Sequence, residues 1–123
     1  MKPTLLVISH GSREISANKE FVRLVDKYRK RHPDWRVAHA FLELAQPSIP
    51  EALEKLAKGG AQKISVLPLF FFQAKHVKEH IPAILSAFRK THPQVKVTLA
   101  KPLGADPLLL DLLDQRLKQT SLK

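Results

Sequence analysis

The sequence predicts an α/β fold, a single doubly wound, four-stranded parallel sheet in βαβαβαβα order. Three observations predict it. Short aliphatic runs alternate with stretches of helical periodicity along the whole chain. The connections between them are short, with no linker, low-complexity segment or convincing internal repeat. Strands separated by helices imply parallel pairing through right-handed crossovers. For four strands wound this way the expected order is 2-1-3-4. The 123 residues, 1–123, then form one domain, long enough to bury a single core but not two.

The first strand is "TLLVIS" (4–9), a continuous aliphatic run with the profile of a strand buried on both faces. In "SANKEFVRLVDKYRKR", Phe21, Leu24, Val25 and Tyr28 recur at i, i+3, i+4 and i+7, which is helical periodicity. Ser16 is the expected cap of that helix, and "HPD" (32–34) its stop. "RVAHAFLEL" (36–44) reads as the second strand. "PSIPEALEKLAKGG" follows as a helix, with Ser48 as cap, Pro50 in the first turn, and Gly59 and Gly60 at its end. "KISVLPLF" (63–70) is the third strand, and "IPAILSAFRKTHP" is the third helix. "VKVTLA" (95–100) is the last strand, and "DPLLLDLLDQRLK" (106–118) the last helix, with Asp106 as cap and Pro107 as first residue.

Composition narrows the function classes. A chain that is 44% hydrophobic and 26% charged is ordinary for a soluble globular protein. No apolar run approaches the ~18 residues that span a bilayer. "MKPTLLVISHGSR" has a very short apolar core and no small-residue cleavage site, which argues against a signal peptide. The absence of cysteine fits a cytoplasmic chain, removes disulfides and thiolate ligands, and leaves nitrogen and oxygen donors for any metal. A formal charge of +10 favours an anionic partner, though lysines and arginines also simply solvate helix faces.

In an open parallel sheet, ligands bind beyond the carboxyl ends of the strands, where the strand order reverses. For order 2-1-3-4 that point lies between strands one and three. Strand one ends at Ser9-His10-Gly11-Ser12-Arg13, strand two at Glu43, and strand three runs into Phe70–Phe72 and Gln73-Ala74-Lys75-His76. Two histidines and a carboxylate therefore converge on one rim. A lone histidine after a strand is usually an ordinary loop residue; the joint placement of His10 and His76 at the predicted crevice is the stronger signal. His32 and His92 precede prolines at helix ends and read as structural, and His39 lies inside a strand, packed or exposed rather than chemical.

Two motifs point elsewhere. His76 opens H-x-x-E-H, which in zinc peptidases lies on one helix. Pro82 argues against a longer helix that presents both His76 and His80 on one face; the local sequence suits a helix beginning near here, with His76 on or before its first turn, and no third ligand follows at the usual spacing. "HGSR" offers backbone N–H groups at a strand-to-helix turn, but neither G-x-x-x-x-G-K-[ST] nor G-x-G-x-x-G occurs. A basic nucleic-acid-binding domain would account for the charge, yet no RNA-binding signature with interleaved aromatics is visible and the histidines would go unused. A metal carrier without catalysis is a third reading.

Four blocks in order, "LLVISHGSR" followed by "AN", "AFLELAQPSIPEAL", "VLPLFFFQAKHVKEHIPA" and "PLGADP", resemble the short form of the class II chelatases, the sirohydrochlorin cobaltochelatase family. The resemblance covers essentially the whole chain. It implies a half-size version of the ferrochelatase fold and ATP-independent insertion of a divalent metal (cobalt foremost, nickel or iron also) into sirohydrochlorin. The metal is then a substrate, no organic cofactor is implied, and the routes served are those to cobalamin, sirohaem or a nickel tetrapyrrole. By position, His10 resembles the family's proton acceptor and metal ligand, His76 its second ligand, and Glu43 an acidic residue completing the metal site. Gln46 and the segment Phe71, Phe72, Gln73, Ala74, Lys75 and His76 match positions that contact the tetrapyrrole. Position 46 is often acidic in relatives, and the position of His80 is commonly Asp.

The chemistry agrees with that resemblance. Metalation removes two pyrrole protons as a dication enters, and neutral imidazole, with an ordinary pKa near ~6.5, can both ligate and accept a proton. Nitrogen and oxygen donors suit cobalt and nickel without selecting strongly between them. Leu69–Phe72 can face the apolar plate, while Arg13, Lys75 and Lys78 can attract its rim carboxylates. Larger relatives cover the plate with a second half-domain, so a homodimer is expected here. The "LFFF" run supports association if it is exposed. Burial of two of its three phenylalanines is the competing expectation.

Overall fold

A computed structural model describes residues 2–72 and 74–120. Its elements are β1 (Thr4–Ser9), α1 (Ile15–Arg31), β2 (Arg36–Phe41), α2 (Ile49–Lys58), β3 (Lys63–Pro68), α3 (Lys75–Thr91), β4 (Lys96–Leu99) and α4 (Pro107–Lys118). The four strands pair in the order β2-β1-β3-β4, all parallel, as the sequence predicts. β1 and β3 are the central strands, so the switch in strand order lies between them.

Alternation along the strands divides the core in two. Leu6, Ile8, Ala40, Ile64 and Val66 pack against Leu53 of α2 and Ile81, Leu85 and Phe88 of α3 on one face. On the other, Val7, Val37 and Phe41 pack against Phe21 and Val25 of α1. Each fully buried aliphatic side chain contributes about 1.5–3 kcal/mol relative to exposure. α4 buries none of its residues.

Local chemistry sets the helix ends. Ser48 caps α2 with its hydroxyl accepting from the Glu51 N–H, and the Glu51 carboxylate accepts from the Ser48 N–H in return. Those bonds hold the Glu51 carboxyl below its usual pKa. Asp106 Oδ1 accepts from the Leu108 N–H at 2.9 Å and Pro107 opens α4. Histidines 32 and 92 are structural: His32 stacks on Trp35, and His92 stacks on Phe88 and pairs with Glu54 at 3.2 Å. His39 packs edge-on against Phe21 and Phe41.

Some expected boundaries move. Ser16 does not cap α1, which begins at Ile15 after Glu14. Asn18 is the reason: its amide donates to the Ser12 carbonyl at 2.8 Å and accepts from the Ser12 N–H at 3.0 Å, fixing the preceding turn. β2 stops at Phe41 rather than residue 44, because the Phe41 N–H turns to the Pro47 carbonyl at 2.9 Å and Leu44 adopts φ 68°. β3 ends at Pro68, short of residue 70, and β4 spans 96–99 rather than 95–100.

α3 starts at Lys75, ahead of the "IPAILSAFRKTHP" run, with His76 in its first turn as expected; the correction is that it continues through Pro82. Proline there removes one hydrogen bond and costs on the order of 3 kcal/mol. Val77, Ile81, Leu85 and Phe88 are all buried on one stripe, and their burial outweighs that cost. His76 and His80 therefore do share a helix, and the proline objection to the peptidase motif does not hold. Among the described residues no group of three or more His, Asp or Glu side chains gathers as a metal site, and no helix is long and apolar enough to cross a membrane.

Candidate active site

The carboxyl ends of β1 and β2 are laced together beyond the strands. The Leu42 N–H donates to the Ser9 carbonyl at 2.8 Å and the Glu43 N–H to the His10 carbonyl at 3.0 Å. This backbone pairing carries His10 and Glu43 out side by side onto the rim. Their side chains meet, with His10 Nε2 at 3.1 Å from Glu43 Oε1 and both groups about half exposed.

His10 Nδ1 lies 3.2 Å from the Gly11 carbonyl, and the tautomer decides what each ring nitrogen does. With its hydrogen on Nε2 the ring donates to the Glu43 carboxylate. With its hydrogen on Nδ1, bonded to the Gly11 carbonyl, Nε2 and Glu43 Oε1 offer two donor atoms to one cation.

Gly11 makes the geometry possible. Its φ is +95°, and a Cβ built there would overlap the Glu43 carbonyl oxygen. On the other side of Glu43, Leu44 is a non-glycine residue in the left-handed region, a strained conformation of the kind that collects at functional sites. Sequence reasoning missed Gly11, Asn18 and Leu44 as positioning residues. The glycine directly after a strand-end histidine was a usable signal; nothing in the sequence marks Leu44.

Beside His10 lies a hollow of about 440 Å³, lined by Ser9, Leu69, Phe70, Phe71, Phe72, Ala74 and Val77. Phe70 is buried beneath it, whereas Phe71 and Phe72 are 54% and 82% exposed. Only one of the three phenylalanines is thus in the core, which favours the expected exposed run over the competing burial of two. Ala74 caps α3 and Lys75 is its first residue; of the expected contact segment, Phe71, Phe72 and Ala74 line the hollow. For His76 the backbone is described, in the first turn of α3; Gln73 lies outside the described residues. Gln46 does not line this hollow. It borders a separate groove against α1 with Ile15, Asn18 and Val22, just before a cis Gln46–Pro47 peptide. Arg13, Lys75, Lys78 and His80 are exposed.

Comparison with known proteins follows this geometry. The CbiX family model matches residues 4–120. The chain is 35% identical over 123 residues to a sirohydrochlorin cobaltochelatase of Methanosarcina acetivorans, covering 94% of each. It is 31% identical over 117 residues to a sirohydrochlorin ferrochelatase of Priestia megaterium, covering 95% of this chain and 44% of that one. The structure described as SirB from Bacillus subtilis with Fe3+ matches with a TM-score of 0.90 at 29% identity, covering 100% of this chain and 49% of that one. The chain thus spans nearly all of some relatives and less than half of others. With the family model matching residues 4–120 and a relative 35% identical over 94% of its own length, the chain belongs to the CbiX family.

Proposed function

We propose that the protein is a sirohydrochlorin chelatase that inserts a divalent metal into the macrocycle without ATP. The observation that carries this reading is the His10–Glu43 pair, an imidazole nitrogen and a carboxylate oxygen 3.1 Å apart beside an exposed aromatic wall. Relatives named for cobalt and for iron insertion support the reaction class; cobalt is the first candidate, with iron and nickel as others. All three are substrates here.

The residues divide the work by chemistry. His10 Nε2 and Glu43 hold the entering dication, with His76 as a further ligand from the first turn of α3. Two pyrrole N–H protons leave as two positive charges enter, so the macrocycle's charge is conserved. His10 accepts one of the two protons at Nε2 once the metal has moved to the ring, and the other passes to solvent at the open rim. Phe71 and Phe72 lie against the apolar face of the plate. Lys75 and Arg13, in a chain of formal charge +10, attract its carboxylates. Gln73, Ala74 and Gln46 are further macrocycle contacts carried by the family resemblance, Gln46 from its neighbouring groove.

One domain, residues 1–123, offers one wall to a plate with two faces. Two copies meeting rim to rim place a His10 and a His76 on each side of one macrocycle, and the exposed Phe71 and Phe72 favour that association. The cysteine-free composition supports a cytoplasmic setting.

Incubation with sirohydrochlorin and, in parallel, cobalt, nickel or iron, followed by absorbance, tests the reaction. A metal-dependent spectral change faster than the protein-free control is expected. Metal binding without transfer to the ring indicates a carrier instead, and salt-dependent retention of nucleic acid without insertion indicates the binding domain.

A further inference from the structure

Every strand of the sheet begins with a cation. Lys2 lies just ahead of β1, and Arg36, Lys63 and Lys96 are the first residues of β2, β3 and β4. This amino edge lies opposite the His10 rim, with the length of β3, about 17 Å, between them.

The strand register gathers three of these cations. Lys63 pairs with Lys96, and Ser65 with Thr98, across β3 and β4. The four side chains alternate with the buried Ile64, Val66 and Val97, so they share the face of Leu67, which packs with the α1 cluster, and all four are exposed there. Lys2 reaches the same place from β1, and together with Thr4 these residues line a hollow of about 340 Å³. No carboxylate lines it.

The lysines have no partner within the chain. Among the described residues none of Lys2, Lys63 and Lys96 makes an ion pair, and Asp34, in the turn before β2, pairs with none of them. Lys63 and Lys96 are rooted on strands about 4.8 Å apart, so their charges repel. Two ordinary roles do not account for them. A lysine on an edge strand guards against unwanted pairing, which suits Lys96 on β4, but β1 and β3 are central. The helix ends that lead into β2, β3 and β4 carry their own basic residues, Arg31 on α1, Lys58 on α2 and Lys90 on α3.

We propose that this hollow is an anion site that takes a diphosphate group, free or as the tail of a nucleotide. Ammonium groups are compact charges suited to phosphate oxygens, whereas a planar carboxylate is better matched by an arginine fork. The Ser65 and Thr98 hydroxyls supply hydrogen-bond donors beside them. Lys63, Ser65, Lys96 and Thr98 form a quadrilateral of about 4.8 Å by about 7 Å, a spacing for two linked phosphates rather than one. The site does not rest on the chelatase reading, and it is remote from the rim where the macrocycle is held.

Titration calorimetry with pyrophosphate in metal-free buffer, at fixed ionic strength, tests it. Wild type is expected to show saturable binding, and Lys63→Gln/Lys96→Gln to bind at least about tenfold more weakly. Both lysines are exposed, so this variant is expected to fold, as circular dichroism would verify. Lys58→Gln/Lys90→Gln removes the same charge from exposed helix positions outside the hollow and is expected to bind as wild type does. Equal losses in the two double variants would show general attraction to a basic chain and overturn the site, as would no saturable binding to wild type. ADP in a parallel titration separates the sources of the diphosphate. Tighter binding than pyrophosphate, lost in Lys63→Gln/Lys96→Gln, assigns a nucleotide, and equal or weaker binding assigns the free anion. Wild type that retains a DNA oligonucleotide through these lysines but not pyrophosphate would overturn the small-anion site in favour of nucleic acid.

Discussion

His10 Nε2 and Glu43 Oε1 stand 3.1 Å apart because the Glu43 N–H donates to the His10 carbonyl, so one backbone bond sets the spacing of two side chains on different strands. The pairing of β1 with β2 is thereby continued into the site. Disturbing that backbone should disturb the chemistry even where no reactive group is altered.

Gly11→Ala tests this. A left-handed conformation at a residue with a Cβ costs about 1–2 kcal/mol, and here the added methyl also meets the Glu43 carbonyl oxygen. Stability is expected to fall by more than that cost, and metal insertion to fall with it at temperatures where the variant remains folded. Unchanged thermal midpoint and rate would show that Glu43 is not held by this contact.

The capping box of α2 predicts an effect on stability alone. Ser48→Ala removes the acceptor for the Glu51 N–H and should cost about 1 kcal/mol, read by denaturant unfolding. The insertion rate of the folded protein should stay as it is, since the Ser48 side chain bonds within its own helix cap and reaches neither His10 nor Glu43.

His39 predicts a pH dependence of stability. Burial, helped by Arg29 and opposed by Asp26, lowers its pKa in the folded protein below the ordinary 6.5. Below that value the unfolded chain takes up a proton that the folded chain resists. Stability is therefore full above it and is lost as pH falls towards the folded pKa. Thermal midpoints measured from about pH 7.5 down to about pH 5 should drop further for wild type than for His39→Gln. Parallel curves would contradict the assignment.

The two histidines of α3 should separate in function. His76 lies in the first turn, at the rim, whereas His80 follows one turn later and is exposed. His76→Ala is expected to lower metal insertion by at least about tenfold, and His80→Ala by much less. Equal losses would make His80 a ligand as well.

Much of this was legible in the residues. Buried aliphatic strands, the Ser48 and Asp106 caps and the strand order follow from patterns that depend on near neighbours in the chain. The passage of α3 through Pro82 did not, because a local rule about proline was overridden by the buried stripe from Val77 to Phe88, a tertiary effect. The placement of His10 and Glu43 on one rim was legible from topology. Their actual contact was not, since it depends on Gly11 at positive φ and on Leu44 in the left-handed region, and a leucine gives no sign of that conformation. α4 was legible as a helix, but its leucines look the same in sequence whether they face a core or another molecule.

The central claim, that the His10–Glu43 pair delivers the metal, is tested most directly by the initial rate of cobalt insertion into sirohydrochlorin by His10→Ala beside wild type, at matched free cobalt. His10 is half exposed on the rim, so the fold should survive, as circular dichroism would verify. The account predicts a loss of about 10²–10⁴-fold, with Glu43→Gln falling in the same direction. A folded His10→Ala protein that inserts cobalt at the wild-type rate would contradict it.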